Sequence, residues 1–228
     1  MKFEYPSRLL EFILAGVIVE IPIVFIVGGR VLPTDLSSAV ALLAVAYALG
    51  LGMNAIASRY FVKFVRPSSF KEYYEANRWI LNGYEQEIEQ CFGIDISDEN
   101  FSDANKLVRR LLAYLDETSE VSRASLLYQS RLYRMSRTVC FASILWTVIA
   151  LVVVICELLG YDYFTQFQTE IEIDFAGVLW ILFFSAGLSI GLYLSAKDRI
   201  RYIAGIAIER FPIVYEKNKE KAQHRNNA

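Results

Sequence analysis

The sequence is poor in the residues that perform covalent or metal chemistry. Its 228 residues include one histidine, His224, three cysteines and five prolines. A lone imidazole near the C-terminal end excludes a metal site built on histidines. It also leaves no base for a Ser-His-Asp or Cys-His nucleophile. Cys140 and Cys156 lie in an apolar run and Cys91 in a charged stretch. They give neither a disulfide framework nor a metal-type spacing, and read as small apolar fillers. No glycine-rich phosphate loop is present. The acidic run Asp95-Ile96-Ser97-Asp98-Glu99-Asn100 lacks the central glycine of a calcium loop, and Lys106 stands where the acid at its twelfth position belongs. The expectation is a protein with no catalytic residue, no cofactor and no metal, and so not an enzyme.

What is present is apolar length. Hydrophobic residues make up 55% of the chain, and charge is confined to particular stretches. A helix needs about 20 mostly apolar residues to cross the hydrocarbon core of a bilayer. Four runs qualify: Leu9–Val27, Leu36–Ala57, Val139–Leu159 and Phe175–Ala196. The first is not read as a cleaved signal peptide, because its flank carries both acids and bases and no small-x-small cleavage site follows. The expected fold class is an all-α integral membrane protein, with four transmembrane helices and a cytoplasmic helical insertion between the second and third spans. The chain then divides into a transmembrane hairpin (1–60), a cytoplasmic helical domain (61–135), a second hairpin (136–200) and a C-terminal helix and tail (201–228).

Orientation follows from the Lys and Arg residues, which favour the cytoplasmic side. Twenty-two of the 23 fall before the first run, between Arg59 and Arg137, or from Lys197 onward; only Arg30 falls in the first outer loop and none in the third. The third loop instead carries Glu157, Asp162, Glu170, Glu172 and Asp174. Both termini and the insertion are therefore expected in the cytoplasm, in a membrane of the bacterial inner-membrane type. Gly28-Gly29 through Asp35 reads as a tight outer connection, with Thr34 or Asp35 capping the second span. The stretch Gln168 to Asp174 alternates like a strand but is expected to be irregular.

In the insertion, Pro67-Ser68-Ser69 followed by Glu72 reads as a capping box, so a helix is expected to start near Ser69. Phe70, Tyr73, Tyr74, Ile80, Leu81, Tyr84 and Ile88 keep helical spacing up to Gly93. A second helix is expected from Ser102 or Asp103. A third, from Ser119 to Leu159, meets neither proline nor glycine. The last span is expected to end near Glu209, stopped by Phe211-Pro212, with a disordered tail beyond.

The insertion is electrically polarised. Between Glu72 and Glu120 there are twelve acids and four bases. This acidic tip, with Glu85, Glu87, Glu89, Asp95, Asp98 and Glu99, reads as a docking surface for a basic soluble partner and argues against direct nucleic-acid binding, which needs a basic surface. The membrane-proximal ends are basic: Arg59, Lys63, Arg66, Arg131, Arg134 and Arg137 are candidate contacts to lipid head groups.

Within the spans, Glu20 in Val19-Glu20-Ile21-Pro22 is costly in hydrocarbon and should face protein or water. Pro22 has no amide hydrogen and frees a backbone carbonyl near Ile18. Glu20 and Asn54 are the candidate intramembrane polar or pore residues. Ala44, Ala48 and Gly52 repeat at intervals of four, as do Ala46, Gly50, Asn54 and Ser58, while Gly187 and Gly191 form a GxxxG pattern. Small residues allow close helix approach in lipid, so Ala44, Ala48, Gly52, Gly187 and Gly191 are candidates for helix packing or an oligomer interface.

Four spans with a glutamate in the first are similar to the small multidrug-resistance exporters, which are much shorter and lack a large insertion. The placement of both termini and the central loop in the cytoplasm resembles gap-junction-type channels, whose long disulfide-bonded outer loops have no counterpart here. The reading of the residues is a homo-oligomeric scaffold or sensor that recruits a soluble cytoplasmic partner, as part of a multi-protein bacterial system such as antiphage defence. The alternatives are an oligomeric channel or pore with Glu20 near the conduction path, and a small proton-coupled transporter.

Overall fold

A computed structural model of the chain describes residues 9, 12–18, 20, 35–96, 103–160 and 175–226. Among these residues every regular element is helical. Residues 12–18 form α1 and Leu36–Tyr60 form α2. A π-helical turn at Phe61–Val65 leads into α3 (Arg66–Asn77) and a 3-10 turn at Arg78–Leu81. Then come α4 (Glu85–Phe92), α5 (Ala104–Thr118), α6 (Glu120–Leu158) and α7 (Phe175–Asn226). Three helices are long and apolar enough to cross a membrane: Leu36–Leu81, Glu120–Leu158 and Ala176–His224. This is consistent with an integral membrane protein. Of the first expected span, residues 10, 11, 19 and 21–27 lie outside the described residues, as do both outer loops apart from Asp35, Leu159 and Gly160.

The chain divides into two compact units, Met1–Arg59 with Arg134–Ser195, and Tyr60–Tyr133 with Ala196–Ala228. In the first, α1 lies against α2 at very short range. A β-carbon on Gly16 would collide with the Ala46 carbonyl, and one on Gly50 with the Phe12 carbonyl. Phe12 also meets Tyr47 edge-on at 5.9 Å. Of the two small-residue rows on α2, the one through Ala46 and Gly50 is therefore the row that packs. Ala150 and Val154 on α6 bury against Val178 on α7. Large apolar side chains cover the outside of this unit, among them Val40, Leu43, Val148, Val152, Phe183 and Phe184. A surface of that kind suits hydrocarbon and would be costly in water.

The second unit has a conventional buried core. Its centre is the fully buried Phe211 of α7, ringed by Tyr84, Phe92, Tyr114 and Tyr215 with centroid separations of 5.6 to 6.2 Å. Leu107, Leu111 and Leu115 bring the apolar face of α5 into the core, while Ile200, Ala204 and Ile208 do so for α7.

Sequence signals hold at some helix ends and fail at others. Asp35 caps α2 by accepting the Ser38 amide at 2.7 Å, and Asp103 caps α5 by accepting the Lys106 amide at 3.0 Å. Ser119 accepts the Ser122 amide at 3.2 Å at the start of α6, which runs unbroken through 39 residues. The capping box at Pro67-Ser68-Ser69 does not form. The helix is already running there, Ser68 donates back to the Val65 carbonyl at 2.9 Å, and Glu72 is taken up by Lys197 and Arg201. The single helix expected up to Gly93 is broken at Gly83, whose φ of +90° few residues other than glycine adopt. Gly93 does end α4 in the left-handed region. Pro212 does not stop α7, which continues to Asn226. Proline removes one helical hydrogen bond, and the packing of Ile208 and Phe211 on either side of that loss outweighs it.

Candidate functional site

The Gly83 turn shapes a cavity in the second unit. It separates α4 from the helical stretch before it, and the Glu85 carboxylate accepts the Gly83 amide at 2.8 Å. A cavity of about 470 Å³ opens there, lined by Tyr74, Arg78, Asn82, Glu85, Gln86, Glu89, Asp95 and Ile96. Three carboxylates face one guanidinium, so the lining carries a net negative charge. Tyr74 is buried at the base. Burial pushes its hydroxyl above the ordinary value; Arg78 opposes that rise and Glu85 adds to it. The arrangement offers acceptors and an aromatic wall, which suits an ammonium or guanidinium group.

Of the acidic tip, the fold brings Glu85, Glu89 and Asp95 together on this cavity and leaves Glu87 out of its lining. Asp98 and Glu99 lie outside the described residues.

A second polar group ties α3 to α7. Arg201 and Lys197 both pair with Glu72, the latter at 3.2 Å, and hold its carboxyl below the usual range. Tyr73 donates to Glu209 at 2.7 Å. Burial, with the neighbouring Glu209 carboxylate, pushes the Tyr73 hydroxyl up to about 12. Gly205 makes room for that hydroxyl, since a β-carbon there would lie 2.8 Å from it.

In the first unit the polar side chains join helices. Asn54 Oδ1 on α2 accepts from the Arg137 guanidinium at 3.0 Å and lies 3.3 Å from the Thr138 hydroxyl, which also reaches the Arg134 carbonyl at 2.8 Å. Thr147 donates to Ser185 at 3.0 Å, and Cys140 to the Ser189 carbonyl at 3.4 Å. The Trp146 indole donates to the Ile18 carbonyl at 2.7 Å. Glu20 is half-buried, and its Oε1 is enclosed with no hydrogen-bond partner among the described residues.

No family model, curated protein or solved structure matches this chain.

The geometry alone therefore ranks the residues picked out by sequence. Asn54 is engaged within its own unit. Arg137, a candidate lipid contact by sequence, is 7% exposed. Asn54 offers a carbonyl acceptor on the inner face, and the guanidinium turns to it. Arg59 and Lys63 are exposed, while Arg66, Arg131 and Arg134 are half-buried. Ala44, Ala48, Gly52, Gly187 and Gly191 are all exposed, and nothing lies within 4 Å of a β-carbon built on any of the three glycines. Sequence reasoning passed over Trp146, Gly16 and the Gly83 turn. The turn had a local signal in Asn82-Gly83; Trp146 and Gly16 gained their roles only from partners far away in the chain.

Proposed function

We propose that the protein is a non-enzymatic, homo-oligomeric membrane scaffold or sensor whose helical unit recruits a soluble partner bearing basic side chains. The observation that carries this reading is the cavity lined by Glu85, Glu89 and Asp95 beside Tyr74. In this proposal residues 9–27 supply a fourth span, both termini and the helical unit lie in the cytoplasm, and the membrane is the bacterial inner membrane. The excess of Lys and Arg outside the apolar runs supports that orientation. The exposed small residues of α2 and α7 support self-association, since lipid-facing helices gain most by meeting where side chains are small. A multi-protein system such as antiphage defence would provide the partner. The test is capture of the products of neighbouring genes on the detergent-purified protein. Replacing Glu85 and Glu89 by Gln and Asp95 by Asn should abolish capture at unchanged oligomer mass. Undiminished capture by this variant refutes the reading.

One observation favours a second reading, a channel: the enclosed Oε1 of Glu20, which has no hydrogen-bond partner among the described residues. A carboxylate at that depth is costly unless protein or water meets it. Under this reading Glu20→Gln changes conductance in planar bilayers, whereas a scaffold keeps its partner and carries no current.

A further inference from the structure

The second unit begins with an irregular helical turn. From Phe61 to Val65 the helix is π-helical, with the Arg66 amide reaching back to the Phe61 carbonyl. Pro67 supplies no amide to this stretch, and the Ser68 hydroxyl donates to the Val65 carbonyl at 2.9 Å. A π turn accommodates one extra residue. The buried positions along this stretch are Phe61 and Val65, followed by Ser69, Phe70 and Tyr74. Phe61 is turned inward onto Tyr133, at 6.0 Å between rings.

The same turn leaves a different set outside. Tyr60, Val62 and Phe64 are 44%, 37% and 56% exposed. The rings of Tyr60 and Phe64 lie 5.3 Å apart, and the Lys63 ammonium sits 5.3 Å from the centre of Phe64. Some cations of this unit are held by carboxylates, Lys71 by Glu75 and both Lys197 and Arg201 by Glu72. Lys63 has no carboxylate partner among the described residues. An exposed aromatic pair with an ammonium over one of its rings, directly after an apolar run, has the composition of an anchor at the membrane surface. Rings sit at head-group depth there, and cations meet lipid phosphate.

We infer that the Tyr60–Phe64 turn binds the head group of an anionic phospholipid. The Lys63 ammonium meets the phosphate, and the Tyr60 and Phe64 rings cover the glycerol region. This rests on the reading of residues 36–57 as a membrane span. The exposed rings favour a lipid over a free ion, since inorganic phosphate gains nothing from them.

The experiment uses the full chain, purified and reconstituted in phosphatidylcholine nanodiscs containing phosphatidylglycerol, with retained lipids counted by native mass spectrometry. Lys63→Gln should lower phosphatidylglycerol retention about fivefold, and Lys63→Arg should restore it. Lys71→Gln should change nothing. Phe64→Ala, which keeps the charge, should reduce retention of both lipids. Equal retention by Lys63→Gln and the parent overturns the anchor, as does displacement of the lipid by inorganic phosphate. Carbonate extraction tests the span separately. Release of the parent chain from membranes refutes the span, whereas a Lys63→Gln chain that stays embedded and keeps its phosphatidylglycerol refutes only the anchor.

Discussion

The indole of Trp146 donates to the main-chain carbonyl of Ile18 at 2.7 Å, fastening α6 to α1. In a regular helix that carbonyl would accept the amide of residue 22, and residue 22 is proline. A tertiary donor thus takes up an acceptor that the local sequence cannot satisfy. Trp146→Phe keeps a ring but removes the donor, and should destabilise the protein by about 1–3 kcal/mol. Reversible unfolding in mixed micelles measures this. An unfolding curve superimposable on the parent's would mean that the bond adds no net stability.

Two glycines on α2 separate packing inside the protein from space outside it. A β-carbon on Gly50 meets the Phe12 carbonyl, whereas one on Gly52 meets nothing within 4 Å. Gly50→Ala must push α1 away and should cost about 1–3 kcal/mol or more. Gly52→Ala should leave the fold intact. Recovery of monodisperse protein after mild heating compares the two, and equal losses would contradict the close approach.

Phe211 anchors the core of the second unit, and its truncation should be among the most damaging single changes. Phe211→Ala empties a fully buried site ringed by four aromatic residues and should cost about 3–5 kcal/mol. Limited proteolysis should then cleave between Tyr60 and Tyr133 at protease levels that leave the parent intact. Persistent resistance would show that the ring cluster is dispensable.

The same residue marks how far the sequence could be read. Apolar run length depends only on composition, so the helices through residues 36–57, 139–159 and 175–196 were legible, as were caps set by one local residue such as Asp35 or Asp103. Phe211-Pro212 looked like a stop because local rules price the lost hydrogen bond and cannot see Tyr84, Phe92 and Tyr114 arriving from more than ninety residues away. The acidic cavity was legible as charge but not as shape. Gly83 breaks the helix before α4, and the fold selects Glu85, Glu89 and Asp95 from a longer acidic stretch. The bond from Arg137 to Asn54 was illegible for a related reason. The arginine's charge suggested lipid, and its partner Asn54 lies 83 residues away.

Glu72 gives the second unit a pH-dependent link. Arg201 and then Lys197 hold its carboxyl below the ordinary value of 4.5. A depressed value means that the link stabilises the fold above pH 4.5 and is lost as pH falls through the folded-state value. The groups are partly exposed, so the contribution is expected to stay below about 1 kcal/mol and to weaken with salt. Glu72→Gln should lower the melting temperature slightly near pH 7, and the gap to the parent should narrow as the pH is taken progressively below 4.5. A gap between the two proteins that widened on acidification would reverse the assigned sign.

Gly187 and Gly191 test self-association without touching the protomer. Both are exposed on α7, and a β-carbon on either meets open space. Larger side chains there should leave the individual chain folded, and in lipid they would simply replace acyl contacts. If the row instead meets a neighbouring copy, the helices can approach closely only while it stays small. Replacing both by leucine should then reduce the detergent-corrected mass in light scattering to that of one chain, with helicity and melting temperature unchanged. A parent that is already a single chain, or a double variant that keeps the parent's oligomeric mass, removes this face from the interface. The exposed row of Ala44, Ala48 and Gly52 on α2 would then be the next surface to substitute.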